Sequence, residues 1–495
     1  MPKRMNVLHI MSDQHQAAVT GYEGHPQVKT PNLDRLAASG VRFLRCYTQN
    51  PICTPSRVSI LSGQYCHNHG HYGLHGPRPH ALPSFFSHFK AQGYRTAGIG
   101  QLHTPNNPRN WLETHLDYFA DSFFSIDAIN GQTRWYAELE ALGLKEKDEF
   151  YVNEKGLDKG KHKERPSELP FEYSQEGWCV REAIRFMDES GEKPFCIQVS
   201  LERPHDPCVP AKEFWDMYPD DLELPETFHD DCSHRPPHFR EMHDGWRKQT
   251  GDDYLNAARR RWKGYLGSIT HTDHAVGQIL DYLEQKGLAD NTIVIYHADH
   301  GGYMSSYGIH EKAPGICSEA VCRIPYIWRV PGVTEAGRVC GQFVENVDLA
   351  PTIAALCGLP PMLAADGFDI SGLLGGGDGP VREIAVTECP HSKAVRWRNW
   401  RFVHYQPDTF GEDVGELYDL DADPLERTNL YRDPAHQDLI NDLRRKLLEW
   451  LIGTTRIRTG LGVEGMVWGF PPSYPDAGDG RLPARVRFGY GHNYE

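Results

Sequence analysis

No stretch of the sequence is apolar for long enough to cross a bilayer. After Met1-Pro2-Lys3-Arg4-Met5-Asn6 come only five apolar or near-apolar residues, Val7 to Met11, with no small-residue cleavage site. Neither a spanning segment nor a secretory leader is read, and the expectation is a cytoplasmic protein with no membrane partner. Positive charge is also short. Lys+Arg number 52 against 67 Asp+Glu, a formal charge of −15. The long-range field of such a chain repels nucleic acid and anionic membranes, which argues against a general polyanion binder but leaves room for a small anion held by local charges. CxxC pairs are missing as well. The 12 cysteines are scattered, so they read as free thiols rather than a disulfide framework or a zinc cluster. No internal repeat is visible. With 39% hydrophobic and 24% charged residues, disorder, collagen and coiled coil are excluded, and 495 residues suffice for two or three units with real cores.

What is present is a series of short apolar or β-branched runs, each ending in polar residues. Val7–Met11 ends at Ser12-Asp13-Gln14, and Thr96–Gly100 at Gln101-Leu102-His103. Phe195–Ser200 ends at Arg203-Pro204-His205, and Thr292–Tyr296 at Asp299-His300-Gly301. Near-continuous apolar runs suit strands covered on both faces of a mostly parallel sheet. Helical stretches at 33–39, 82–92 and 254–287 lie between them, and the alternation predicts an α/β fold. In such folds ligands bind beyond the carboxyl ends of the strands, where Asp13, His103, His205, Asp299 and His300 all fall.

The main unit is read over 1–380. Polar residues 145–170 and the Pro-, His- and Asp-rich 222–253 read as excursions over the surface. The glycines of 372–379 read as a linker. A C-terminal subdomain, 381–455, follows as a small antiparallel sheet with an amphipathic helix over 438–451. The tail, 456–495, is rich in Gly, Pro and aromatics. It suits packing on the parent unit or on a neighbouring subunit, so a homo-oligomer through this tail is the corresponding expectation.

The sharpest element is Cys53-Thr54-Pro55-Ser56-Arg57, followed by Leu61-Ser62-Gly63. Pro55 suits the start of a helix, which puts Cys53 near free N–H groups that favour an anion. Arg57, one turn on, adds a positive charge to the same side. A cysteine there is an activated thiolate, the precursor of another nucleophile, or a buried structural residue. A thiol phosphatase is disfavoured, because its phosphate loop needs a longer Cys-to-Arg spacing.

These residues resemble the signature of type I sulfatases, formylglycine-dependent enzymes of the alkaline phosphatase superfamily. The resemblance extends along the chain. Asn6-Val7-Leu8 with Ser12-Asp13-Gln14 is similar to the opening strand and metal motif, and Thr30–Ala37 to the first helix. Asp299-His300-Gly301 is similar to the second metal motif. Lys312 follows Asp299 by thirteen residues, as the family's active-site lysine does, and Glu416–Leu420 with Asp423-Pro424 and Asn429-Leu430 resembles the C-terminal signature.

The resemblance implies an alkaline-phosphatase-like fold, with a large mostly parallel mixed sheet flanked by helices. It implies a sulfuric ester hydrolase acting on a small-molecule sulfate ester. Cys53 would be converted to formylglycine by a formylglycine-generating enzyme, and its hydrate would be the nucleophile. Asp13, Gln14, Cys53, Asp299 and His300 would hold one divalent ion. Oxygen donors suit calcium or magnesium and the imidazole leaves manganese open, while the resemblance favours calcium. Arg57 would stabilise the hydrate and Asp299 act as base on its hydroxyl. His103 would sit by the second hydroxyl. His205 would contact the sulfate and protonate the leaving oxygen, and Lys312 would neutralise the sulfuryl oxygens.

One departure stands out. Where the family usually shows Gly-Lys-x-His, this chain has Gly100-Gln101-Leu102-His103. Gln101, expected to bind substrate, brings no charge, and charge-assisted bonds are about twice as strong as neutral ones. Related phosphonate monoester hydrolases also lack that lysine, so a phosphonate monoester or a phosphodiester is the alternative substrate. A non-catalytic metal binder with unmodified Cys53 is a third reading. The histidine-rich stretch Cys66–Gly73 is read as an irregular loop, not a second metal site. His75 and His80 are expected nearer substrate, and His271 and His274 as packing or surface groups.

Overall fold

The computed structural model describes residues 4–74, 82–105, 110–122, 133–148, 164–310, 312, 317–411 and 413–456. Its main sheet holds β1 (Asn6–Ser12), β2 (Val41–Tyr47), β3 (Arg95–Gly100), β4 (Tyr118–Asp121), β5 (Phe195–Leu201), β6 (Thr292–Ala298), β7 (Tyr326–Arg329) and β8 (Arg338–Glu345). Their order is β4-β3-β5-β1-β6-β7-β2-β8. Only β7 runs against its neighbours, β6 and β2; every other pairing is parallel. The four runs read from sequence are β1, β3, β5 and β6, and they lie side by side.

Side chains alternate across these strands, so the sheet divides two cores. Val7, Met11, Ile293 and Ile295 face one, with Val58 and Leu61 of the helix Cys53–Ser62 and Phe85 and Phe89 of the helix Phe85–Ala91. Leu8, Ile10, Val294 and Tyr296 face the other, with Leu33 and Leu36 of the helix Pro31–Ser39 and Ile279 and Leu283 of the long helix Tyr254–Gln285. Continuous apolar runs follow from this double coverage. The helix Pro31–Ser39 lacks a cap from its own Thr30. Asp273, on the long helix, supplies one instead by accepting from Leu33 N at 2.7 Å and Asn32 N at 3.0 Å.

The second sheet runs β12-β11-β10-β9, all antiparallel, with β9 (Ile384–Glu388), β10 (Ser392–Trp397), β11 (Trp400–Tyr405) and β12 (Gly415–Asp419). The helix Gln437–Thr454 buries Ile440, Leu443 and Leu447 against it.

Three local expectations change. The segment 222–253 is not all loop, because Pro237–Thr250 is helical. Phe239 and His243, one turn apart, give it a buried face that its polar composition hides. The helix expected from Leu82 begins after Ser84, whose hydroxyl caps Ser87 N. Within the polar stretch 145–170, Glu164 is buried and paired with Arg261 at 2.7 Å. Residues 149–163 and 457–495, and with them nearly all of the aromatic tail, lie outside the described residues, as do His75 and His80.

Candidate active site

The carboxyl ends of four adjacent strands deliver the site. Asp13 follows β1, Gln101 and His103 follow β3, His205 follows β5, and Asp299 and His300 follow β6. The turn after β3 depends on Gly100. Its φ is +96°, and a Cβ there would lie 2.0 Å from the carbonyl oxygen of Ser200. The helix carrying the Cys-x-Pro-Ser-Arg motif begins at Cys53 itself, two residues before Pro55. Pro55 still falls within the first turn, where its missing N–H removes no helical bond.

Residues 53, 56 and 57 share one helix face. Ser56 Oγ donates to the Asp299 carbonyl at 2.7 Å, and Asn346 Nδ2 supports Ser56 Oγ at 3.0 Å. Arg57 is fully buried and forms the hub. Its Nε donates to Asp299 Oδ2 at 2.8 Å and its Nη2 to Asp13 Oδ2 at 2.9 Å. Nη2 also reaches Gln101 Oε1 at 2.8 Å, while Nη1 donates to Ser200 Oγ at 2.9 Å and to the Gln101 carbonyl. One guanidinium thus ties together the ends of β1, β3, β5 and β6.

With their Oδ2 atoms held by Arg57, the two aspartates turn Oδ1 toward His300 and Cys53. His300 Nε2 lies 3.6 Å from Asp13 Oδ1, 3.7 Å from Asp299 Oδ1 and 3.1 Å from Cys53 Sγ. Nδ1 of His300 is 2.6 Å from the Gly301 carbonyl, which only accepts. Nδ1 therefore carries the proton and Nε2 a lone pair. Two carboxylates and an imidazole lone pair converge in a buried space, and a divalent cation is what this donor set fits. One ligand atom from each of Asp13, Cys53, Asp299 and His300 lies within 4.8 Å of the others. Oxygen and imidazole donors suit calcium, magnesium or manganese. Gln14, at φ +67°, turns its Oε1 to Lys312 Nζ at 2.7 Å and its Nε2 to the Met304 sulfur at 3.0 Å.

Electrostatics follows from this crowding. Burial would raise the Asp299 carboxyl, but His300 and Arg57 hold it well below its usual range, and the backbone N–H groups of Gln14 and His300 add to this. Burial, with Arg57 and His205 nearby, pushes the His103 imidazole down. Burial and then Asp13 push the Cys53 thiol up, against Lys312. At the rim, Lys312 Nζ donates to His205 Nε2 at 3.0 Å, while His205 Nδ1 faces the Asp206 carbonyl. His103 keeps a left-handed φ of +38°.

The structure therefore gathers the sequence-predicted residues Asp13, Gln14, Cys53, Arg57, Gln101, His103, His205, Asp299, His300 and Lys312 at one end of the sheet. Gln101 differs from expectation in where its oxygen goes, which is to Arg57. Ser200 and Asn346 were not singled out from sequence, and no local pattern marks them, because their role depends on partners far along the chain; Ser56 lies in the motif, but no role was read for it. A second convergent group, Glu164, Asp206 and His310, lies within 4.8 Å of one another. Its sequence signal was weak, because Glu164 sits in a polar stretch that reads as solvated. Three other histidines are held by polar partners: His67 pairs with Glu388 at 2.9 Å, His69 with Ser59 Oγ at 2.8 Å, and His271 with Ser174 Oγ at 3.1 Å.

The sulfatase family model matches residues 5–359, and the model for the N-sulphoglucosamine sulphohydrolase C-terminal region matches residues 307–452. An arylsulfatase of Clostridium perfringens is 28% identical over 473 residues, covering 90% of this chain and 94% of that protein. A choline-sulfatase of Rhizobium meliloti is 28% identical over 447 residues, covering 87% and 83%. The crystal structure of a phosphonate monoester hydrolase from Agrobacterium radiobacter superposes with a TM-score of 0.76 at 23% identity, covering 90% of this chain and 95% of that one. The fold is thus alkaline-phosphatase-like. With a family model spanning most of its length and the family's motif residues assembled at one end of its sheet, the chain belongs to the sulfatase family.

Proposed function

We propose that this chain hydrolyses a sulfate monoester to an alcohol and inorganic sulfate, with formylglycine made from Cys53 as the nucleophile. Asp13, Gln14, Cys53, Asp299 and His300 would hold one divalent cation, calcium by preference. The observation that carries the reading is the Arg57 hub, which fixes Asp13 and Asp299 by their Oδ2 atoms and leaves both Oδ1 atoms beside Cys53 and His300. When bound, the cation supplies Lewis acidity toward a sulfuryl oxygen.

The chain's own residues supply the rest. Arg57 keeps Asp299 ionised, so Asp299 is able to take a proton from the nucleophile's hydroxyl. His103, held neutral by burial, accepts a proton from the second hydroxyl. Lys312 donates to His205 Nε2; once Lys312 turns to the sulfuryl oxygens, Nε2 is free to take a proton from water and pass it to the departing alcohol oxygen. A bond from the nucleophile's oxygen to sulfur forms as the ester S–O bond breaks and the alcohol leaves with that proton; sulfate then departs with that oxygen as its bond to carbon breaks, and water replaces the oxygen lost. Maturation needs a formylglycine-generating enzyme as partner. The chain divides into a catalytic part, 1–380, a subdomain, 381–455, and the tail.

A second reading, hydrolysis of a phosphonate monoester or phosphodiester by the same nucleophile, is favoured by Gln101, which brings no cation to the anion. Matched aryl sulfate, aryl phosphonate and aryl phosphodiester assays separate the two. Turnover of the sulfate as the best of the three supports the first reading, and a diester turned over far faster overturns it. Peptide mass spectrometry of the Cys53 fragment from the native host is expected to find the aldehyde. Thiol throughout would sink both readings.

A further inference from the structure

Gln101 is 2% exposed. Its backbone is fixed by its N–H, which donates to the Ser200 carbonyl at 2.9 Å, and by the left-handed turn at Gly100 before it. Both of its oxygens go to one partner. The carbonyl accepts from Arg57 Nη1, and Oε1 accepts from Arg57 Nη2 at 2.8 Å. The same Nη2 holds Asp13, and Nε of the same guanidinium holds Asp299. Gln101 therefore works on the side of Arg57 away from neither carboxylate: it completes the planar set of acceptors that fixes the guanidinium's plane. A lysine in its place would carry an ammonium to within contact of that guanidinium, with Oε1 lost as an acceptor.

We propose that Gln101 is a positioning residue that acts through Arg57 rather than a ligand of the substrate anion. Sulfate monoesters, phosphonate monoesters and phosphodiesters carry one negative charge, and phosphate monoesters carry two. The inference rests on the hydrolase reading above.

The test uses the full-length matured enzyme with aryl sulfate, aryl phosphonate, aryl phosphodiester and aryl phosphate. Gln101→Met removes the acceptor at nearly constant size. It is expected to lower kcat about tenfold or more, the scale of a lost bond to a charged group, with KM within about twofold and a similar factor for the three singly charged substrates. Gln101→Lys, which loses Oε1 and brings an ammonium beside Arg57, is expected to lower kcat for all three singly charged substrates. Arg57→Lys, alone and combined with Gln101→Met, closes the cycle: in the Arg57→Lys background the second substitution should change kcat by less than about threefold. A role as substrate ligand would instead raise KM in Gln101→Met, lower KM in Gln101→Lys, and give additive losses, and any of these overturns the proposal. If Gln101→Met does not fold, Gln101→Lys and its cycle with Arg57→Lys decide alone. Wild-type enzyme inactive on all four substrates defeats the hydrolase reading, whereas an active wild type with additive losses defeats only this inference.

Discussion

Replacing Arg57 by methionine keeps the helix and most of the side-chain volume but removes the cation between two buried carboxylates. Asp13 Oδ2 and Asp299 Oδ2 each have Arg57 as their ion-pair partner, at 2.9 and 2.8 Å, and neither side chain is exposed. Removing one partner of a buried pair costs about 3–5 kcal/mol. The two pairs share one cation, and a stranded carboxylate takes up a proton rather than stay charged, so the losses do not double. The expected loss is about 3–5 kcal/mol, a large part of the roughly 5–15 kcal/mol that holds a folded chain together. Urea unfolding in chelator measures it. Arg57→Lys, which keeps the charge but not the fork of donors, should lose about half as much. The sign with pH is fixed by Asp299. Its carboxyl is depressed below 3.8 in the folded chain, so its contribution is full above that value and fades as pH falls through the folded pKa. The gap between wild type and Arg57→Met should therefore be widest near neutrality and narrow further as pH falls below 3.8 toward the folded pKa. A divalent cation should restore part of the variant's stability by binding the folded form alone. An Arg57→Met protein within about 0.5 kcal/mol of wild type at neutral pH in chelator would refute the hub argument, since even ordinary surface changes reach that size.

Three other outcomes follow from particular contacts. Burial alone would raise the Glu388 carboxyl, but His67 and Lys393 bring it down from 4.5 to about 2; its stabilisation should be complete above pH 4.5 and fall away toward 2, by about 3 kcal/mol in all. Glu388→Gln should flatten the acid limb of a stability–pH curve, and an unchanged limb would refute the assignment. Asp273→Ala removes the borrowed cap of the helix Pro31–Ser39 and should lower stability by about 1–2 kcal/mol, read from the denaturation midpoint. Ser56→Ala breaks the tie to the Asp299 carbonyl and strands Asn346 Nδ2 on one remaining partner, Thr48; a loss of about 1–3 kcal/mol is expected, and a neutral result would show the tie to be dispensable.

The sequence made β1, β3, β5 and β6 legible because strands covered on both faces must be apolar throughout. β7 carries the same apolar character but is only four residues long, and the other three strands of the main sheet lack that signal. β2 carries Arg42 and Arg45 within its run, β4 is a four-residue edge, and β8 alternates with exposed Val339 and Gly341. β10 went unread because Ser392, Lys393 and Arg396 interrupt its apolar residues. For the site, residue types and strand ends sufficed to place Asp13, Asp299, His300 and the Cys53–Arg57 motif together. What they could not reveal is the direction of a carboxamide. Gln101 stands at the right strand end for a substrate ligand, and only the distance to Arg57 shows its oxygen engaged. The helix Pro237–Thr250 was hidden for a related reason: its buried face is two residues wide and is completed by the second sheet, whose Ala394, Val403 and Tyr405 share a core with Phe239.

The strand order also sets a clock for the nascent chain. β1 leaves the ribosome first, yet its neighbours β5 and β6 begin only at Phe195 and Thr292, so the centre of the sheet stays open until most of the chain has been made. In the finished fold Cys53 is 1% exposed, beyond the reach of a second protein's active site. At roughly 5–20 residues per second, the interval between the appearance of Cys53 and that of β6 is on the order of tens of seconds. Chemistry performed on Cys53 by another enzyme has that interval, or a return to the unfolded state, in which to act. Stabilising substitutions that hasten closure around β1 would then reduce the active fraction while raising the melting temperature.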